Sequence, residues 1–226
     1  MDEKAYNILL TVLLAIIGTA ILVGGGIIIS THIKNKQKEE DTKNIVEEVK
    51  NSTSQDKNSA NKKNKVGDIG GSNPTNITDG DFSGTSGSRI SNIKMENYNV
   101  VGVIKIPKIK LEYPILDQVT KRSLEIAVAQ LNTQRGINNP GNTTILGHNY
   151  RNNMFFAKLH LLTKGDKITV TDVNGGVVTY EVYEVATRTP NDTSYIARDT
   201  GGKREISLST CNDDSTLRHV VLAREV

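Results

Sequence analysis

Between Ile8 and Ile29 the chain runs for 22 residues broken only by Gly, Thr and Ala among its aliphatic side chains. At about 1.5 Å per residue such a helix reaches roughly 33 Å, enough to cross the hydrocarbon core of a bilayer. The run has no polar face, which sets it apart from a buried globular helix. A secretory leader is the competing reading. Its apolar core is shorter, about 7–15 residues, and closes in an Ala-x-Ala-like site. Here Ser30-Thr31-His32 follows instead. The sequence therefore predicts a short amino-terminal tail over 1–7 and a permanent single-pass anchor over 8–30.

The residues after the anchor divide into two parts. From about 31 to 97 the chain is polar and low in complexity, rich in Asn, Ser, Thr and Gly, with Lys and Arg nearly balanced by Asp and Glu. Such a stretch buries too little apolar surface to offset its ordering entropy. Asn44 to Asn51 has helical spacing for a turn or two; the rest reads as a flexible tether. The folded part is then about 98–226. Val100–Ile106 and Leu111–Leu116 are β-type runs flanking Pro107-Lys108. Ser123–Gln130 has helical spacing with Ser123 as N-cap. Thr143–Leu146 is a short strand, and Asn153–Leu161 reads as a helical turn. Lys167–Thr171 and Val177–Thr187 form a hairpin around Asn174-Gly175-Gly176. Ile206–Thr210 and Val220–Val226 close the chain. Strands dominate, and the length suits one closed β-barrel with short helices.

Charge and cysteine content narrow the function. A net charge of +3 argues against a strongly basic nucleic-acid binder. The single cysteine, Cys211, excludes an intrachain disulfide framework and a Cys-rich zinc site. In Glu205-Ile206-Ser207-Leu208-Ser209-Thr210-Cys211 the strand period puts Ile206 and Leu208 on one face. Ser207, Ser209 and Cys211 share the other. That places the thiol at a strand end on a polar face, although a core cysteine is the commoner fate of a free thiol. Asn212-Asp213-Asp214-Ser215 is a turn cluster. If the chain reverses there, Arg218 lies opposite Cys211, where a guanidinium can stabilise a thiolate or an oxyanion. The competing reading pairs Arg218 with Asp213 or Asp214. A thiol nucleophile also needs a proton donor. His32 lies beside the anchor, His160 in an apolar patch, and His219 points away from Cys211 if Arg218 points toward it. His148 remains, just past a strand end and after Gly147, which can turn the backbone.

Leu208-Ser209-Thr210-Cys211 resembles the Leu-x-Thr-Cys signature of sortases. Gly147-His148-Asn149, with Met154-Phe155 and Leu-rich residues after it, resembles their histidine region, and Arg218 before a terminal β-run resembles their arginine strand. The order His, Cys, Arg and the separations of 63 and 7 residues fit. The resemblance covers about 100–226 and implies an eight-stranded sortase-type β-barrel. It implies a membrane-anchored cysteine transpeptidase that cleaves a Leu-Pro-x-Thr-Gly-like sorting signal of secreted proteins between positions four and five. Cys211 would form the thioacyl intermediate, His148 would move the protons and Arg218 would stabilise the oxyanion. An amine of a lipid-linked cell-wall precursor would resolve the thioester. Thr210, Ser209 and Asn149 are candidate substrate-binding residues. The chemistry requires no cofactor and no metal, and calcium dependence stays open.

The same resemblance puts the amino terminus inside the cell and the catalytic domain outside. Lys34, Lys36 and Lys38 after the anchor oppose that orientation on a simple positive-inside count, though long translocated segments obey loop charge poorly. Asp81-Phe82 lacks the Pro, and Asn73-Pro74 the aromatic, of the Asp-Pro-aromatic lid of pilin-polymerising class C enzymes. The 17 residues Arg188–Arg204 are tight for a class B helix insert, so the pattern is closer to classes A, D and E. L,D-transpeptidases also use Cys, His and Arg, but with Arg two residues after the Cys and Gly before it. The remaining alternative is a membrane-tethered, non-catalytic β-domain that binds wall or protein partners.

Overall fold

The structure, a computed structural model, describes residues 17, 19, 30, 33, 36–51, 93–131, 136–150 and 153–226. Almost all of the anchor expected over 8–30, the tail over 1–7, His32, and the stretch 52–92 with Asn73-Pro74 and Asp81-Phe82 lie outside the described residues. Among the described residues, no helix is long and apolar enough to cross a membrane. The chain divides into two units, Met1–Lys43 and Asn44–Val226. In the first, residues 36–43 are helical, and Lys43 pairs with Glu39 at 2.9 Å one turn back.

The second unit is built on strands β1 (Lys94–Met95), β2 (Tyr98–Ile106), β3 (Leu111–Leu116), β4 (Val128–Gln130), β5 (Gly141–Leu146), β6 (Asn149–Tyr150), β7 (Met154–Phe155), β8 (Lys167–Asp172), β9 (Val177–Arg188), β10 (Arg204–Cys211) and β11 (Arg218–Glu225). The main sheet runs β1-β2-β3-β4-β5-β10-β11-β9-β8, and β8 pairs back onto β2. That last pairing closes the eight strands from β2 to β8 into a barrel and leaves β1 as a flap on β2. Closure removes the exposed edges that an open sheet would present. Alternation fills the interior: Ile104, Ile106, Ile115, Val128, Ile145, Ile206, Leu208, Val221 and Ala223 form one buried cluster.

The 3-10 turn Pro107–Ile109 joins β2 to β3, with Pro107 fixing φ at its start and Lys110 closing it in the left-handed region at φ 53°. The predicted helix over 123–130 is shorter and starts earlier. Helix α2 spans Lys121–Ile126, and its N-cap is Thr120 rather than Ser123. Ser123 is the reciprocal partner: its backbone N–H donates to Thr120 Oγ1 at 3.0 Å and the Thr120 N–H donates to Ser123 Oγ at 2.8 Å. The helix stops because Val128–Gln130 is needed as a strand. It pairs with β3 on one side and β5 on the other, and without it the barrel would stay open. The expected helical turn over 153–161 resolves into β7 and a 3-10 turn at Leu159–Leu161.

The amino-terminal boundary also differs from the expected one. Residues 36–51 form helix α1, longer than the turn or two read over 44–51. In its second-unit part Val46 and Val49 are buried in a cluster with Met95, Val103, Leu116, Ile126 and Ala129 on the outer wall of β2, β3 and β4. Lys50 Nζ adds a 2.6 Å ion pair to Glu112 of β3. An eight-residue reading could not show this, because the partner apolar face lies more than 40 residues away in sequence. The folded unit therefore includes residues 44–51 and, ahead of 98, Ile93 and β1. The Val49 side chain is fully buried. Val49→Asp, which must lift the helix off the wall to hydrate the carboxylate, is expected to cost about 1.5–3 kcal/mol, the worth of one buried aliphatic side chain. Urea denaturation of the two chains measures it.

Candidate active site

Strand direction determines what meets at the barrel rim. β5 and β10 are parallel neighbours, paired from Gly141↔Arg204 to Leu146↔Ser209, so their carboxyl-terminal ends leave the barrel together. β11 is antiparallel to β10 and begins at that same rim, with Arg218 directly opposite Cys211. The turn between them closes by Asn212 N–H donating to Leu217 O at 3.1 Å and Leu217 N–H donating to Asn212 Oδ1 at 2.9 Å. His148 follows two residues after the last paired residue of β5, and Cys211 two after that of β10.

The guanidinium meets the thiol. Arg218 Nη1 donates to Cys211 Sγ at 3.1 Å. The competing pairing with the turn carboxylates does not form. Asp213 Oδ1 accepts from Asn149 Nδ2 at 2.9 Å, and Asp214 Oδ1 accepts from Thr216 N–H at 3.0 Å and Thr216 Oγ1 at 2.6 Å. Among the described residues, no carboxylate lies within ion-pair distance of Arg218. Arg188, its register partner on β9, is instead neutralised by Glu184 at 2.8 Å and Asp192 at 3.1 Å. Cys211 is partly exposed. Thiol, guanidinium and a partly exposed imidazole thus share one rim.

The polar face of β10 is less open than its serines suggest. Ser207 and Ser209 are 0% and 2% exposed. The 189–203 segment, which carries turns and no helix, lies over them. Ser207 Oγ donates to Tyr195 O at 2.7 Å, Ser209 Oγ bonds Tyr195 Oη at 3.3 Å, and Asn142 Nδ2 donates to Tyr195 O and Ile196 O at 3.0 and 2.9 Å. The accessibility of Cys211 comes from its place at the strand end, not from an exposed strand face. Thr210, 4% exposed, points to the barrel side with Leu208 and Ile206, and its Oγ1 has no hydrogen-bond partner. Asn149 faces neither wall nor solvent alone: its Nδ2 donates to Cys211 O at 3.1 Å as well as to Asp213.

Gly147 is required for space rather than for a left-handed turn. A Cβ there would lie 2.7 Å from Phe156 Cδ2 and 3.0 Å from Val128 Cγ1. The Phe156 ring thus packs flat against the backbone that delivers His148, and its N–H donates to His148 O at 3.1 Å. Two neighbours of the imidazole escaped sequence reasoning. The Tyr150 ring packs against it at a tilt, with ring centroids 4.9 Å apart, and Glu125 of α2 is its charged neighbour. Partial burial holds the His148 pKa below the ordinary 6.5, and Glu125 opposes that shift. The His160 and His219 rings lie near one another, tilted, with centroids 5.9 Å apart. A cavity of about 400 Å³ lined by Asn139, Asn142, Arg198, Asp199 and Thr200 sits at the starting end of β5 and β10, away from the thiol. Among the described residues, no group of three or more His, Cys, Asp or Glu side chains could hold a metal ion.

Three outcomes follow from this geometry. Gly147→Ala overpacks the Phe156 contact and is expected to cost about 1–3 kcal/mol by thermal or urea denaturation. Because its folded pKa is lowered, His148 takes up a proton more readily in the unfolded chain. Its contribution to stability is full above 6.5 and is lost as the pH falls through that value toward the folded pKa. Glu125→Gln removes the opposing charge and should lower the His148 pKa further, as an NMR titration of the ring would read.

The sortase domain family model matches residues 104–226, just over half of the chain. Sortase A of Bacillus anthracis is 31% identical over 137 residues, covering 59% of this chain and 63% of that protein. Sortase A of Streptococcus agalactiae is 26% identical over 138 residues, covering 59% of this chain and 55% of its own length. The match therefore spans about three-fifths of these curated relatives. Among solved structures, a Clostridium perfringens sortase D5 transpeptidase superposes with a TM-score of 0.52 at 25% identity, covering 57% of this chain and 79% of that one. With the closed eight-stranded barrel and the Cys211–Arg218 rim already in place, these matches show that the chain belongs to the sortase family.

Proposed function

We propose that this sortase cleaves a Leu-Pro-x-Thr-Gly-like signal near the end of secreted proteins, between the fourth and fifth residues, and joins the protein to a cell-wall precursor amine. The observation that carries this reading is the 3.1 Å contact between Arg218 Nη1 and Cys211 Sγ. An N–H that reaches the sulfur is also within reach of the oxygen on the carbon that the sulfur attacks. The Cys211 thiolate, its proton having passed to His148, bonds to the carbonyl carbon of the fourth residue, and the carbonyl oxygen takes up negative charge beside Arg218. As the intermediate collapses the C–N bond to the fifth residue breaks, and His148 gives its proton to the leaving amine. The acceptor amine then attacks the thioester, His148 takes its proton, and the thiolate leaves. One thioester carries the energy of the cleaved bond through both halves, so no nucleotide is consumed.

The peptide would lie over the outer face near Leu146, Cys211 and Arg218, with the Tyr195-Ile196 segment as a wall. Ser209 would serve that wall through Tyr195, and Thr210 would support the strand from inside. In this reading the 8–30 segment anchors the enzyme with its amino terminus inside and its barrel on the outer surface.

The full chain in detergent, mixed with a library of such peptides with and without an amine, tests the reading by intact mass. A mass gain on the parent chain, absent in Cys211→Ala, and a product that requires the amine are expected. Arg218→Ala should lower kcat by about 10²–10³, the usual loss for one oxyanion donor, while leaving the thiol open to iodoacetamide. No adduct on any peptide, together with a thiol that reacts only after unfolding, would instead leave a tethered binding domain.

A further inference from the structure

The β5–β10 ladder ends just before the reactive rim. Its last backbone rung is Gly147 N–H donating to Ser209 O at 3.2 Å. In a parallel pair the next rung donated in the same direction would run from the N–H of residue 149 to the carbonyl of residue 211, two residues on along each strand. The chain cannot make it. After Gly147 it turns away to present His148, and Asn149 is committed to the β6–β7 hairpin opposite Phe155. The Asn149 side chain supplies the missing rung: Nδ2 donates to Cys211 O at 3.1 Å. The second proton on the same nitrogen goes to Asp213 Oδ1 at 2.9 Å, in the turn that leads from Cys211 to Arg218. Two acceptors facing one atom also fix which end of the amide is nitrogen.

We propose that Asn149 is a positioning residue, whose side-chain amide replaces the terminal ladder rung and holds the histidine turn in register with the Cys211 strand end and the 212–217 turn. Both protons of its amide nitrogen go to protein acceptors, so the proposed role is to hold the strand ends rather than to make the substrate contact expected of it. The proposal rests on the transpeptidase reading for its consequence, and on the two hydrogen bonds for its geometry. The backbone tie Phe156 N–H to His148 O and the β6–β7 pairing do not depend on the Asn149 side chain, so the hairpin survives its loss. What is lost is the link to β10. Among the described residues, the charged and titratable groups near the imidazole and thiol include Arg218, Glu125, Tyr150 and Asp213.

The test uses the full chain as parent, Asn149→Ala, Asn149→Asp, Asn149→Asp combined with Asp213→Asn, and His148→Gln as reference. Peptide cleavage gives kcat and KM. Iodoacetamide alkylation of Cys211 from about pH 5 to 8, where an imidazole titrates, reports its coupling to the thiol without a substrate. For Asn149→Ala the expected result is an unchanged melting midpoint, KM within about twofold, and kcat down about tenfold to a hundredfold, the scale of a small misplacement of reacting groups. Its alkylation profile should move toward that of His148→Gln. Asn149→Asp, which sets a carboxylate against the Cys211 carbonyl and Asp213, should be worse, and adding Asp213→Asn should recover part of the loss. Parental kcat and an unshifted alkylation profile in Asn149→Ala would overturn the proposal. So would a loss of kcat that merely follows a lowered melting midpoint with the profile unshifted. A parent chain that cleaves no peptide would sink the transpeptidase reading, while the alkylation profiles would still decide on Asn149.

Discussion

The parallel pairing of β5 with β10 is the constraint on which the rim depends. Parallel strands cannot be joined by a tight turn, so the chain between them must travel a long way before returning. Here it builds the β6–β7 hairpin, β8, β9 and the 189–203 segment on that journey. The reward is that two strand ends emerge side by side with no connection between them. His148 and Cys211 can then project from separate backbones. The antiparallel β11 adds Arg218 through a short turn, and its register is set by that turn alone. Had β5 and β10 been antiparallel, the histidine would sit at the far end of the barrel, some six rungs or roughly 20 Å away at about 3.3 Å per residue.

Holding the thiol at a polar strand end requires the rest of that face to be satisfied. Ser207 and Asn142 bond to the Tyr195 carbonyl, and behind them the Glu205 carboxylate, with its side chain 1% exposed, meets Arg198 at 2.8 Å and Arg224 at 2.6 Å. Tyr183 Oη donates to the same carboxylate at 2.9 Å and lies under the Arg224 guanidinium, 4.9 Å from ring centroid to Cζ. A buried carboxylate without such partners would be costly, and even a paired one is weak evidence for stability. Its more direct consequence is geometric. It ties residue 198 to β10 and β11 at the end opposite the thiol, while Tyr195 ties the middle of the same segment to Ser209, two residues from Cys211. The segment that lies over the polar face of β10 is thereby fixed at residues 195 and 198 by groups that leave the thiol itself untouched.

The parts of this architecture that were legible in the sequence are those governed by short-range rules. Period-two alternation in 206–211, the turn chemistry of 212–215 and the hairpin at 174–176 each concern residues close in the chain, and the Cys211–Arg218 pairing follows from the first two. The apolar spacing of Val128–Gln130 suits a helix as well as a strand. Only the gap between β3 and β5, invisible in a single segment, selects the strand. The burial of Ser207 and Ser209 was likewise hidden. A strand's polar face says nothing about a loop from 12 residues upstream that folds back to cover it. Val46 and Val49 fit the helical spacing of 44–51, but the face of β2, β3 and β4 that buries them lies too far along the sequence for that spacing to reveal. Asn149 was noticed for its neighbour His148, yet its partners are 62 and 64 residues away.

The charges at the rim are arranged so that one cation remains for the thiol. Arg188 and Arg218 are direct register partners on adjacent strands, and like charges so placed repel. Glu184 and Asp192 draw the Arg188 guanidinium along its own strand and toward the 189–203 segment, with Ser194 Oγ at 3.4 Å as a further acceptor. Asp213 and Asp214 are the carboxylates that could have neutralised Arg218 from the turn. Asn149 takes the first and Thr216 the second. Each acidic group near the rim is therefore satisfied by something other than Arg218, and the guanidinium turns to the softest acceptor within reach, the sulfur of Cys211. The positive charge opposite the thiol depends as much on where those four carboxylates are held as on Arg218 itself.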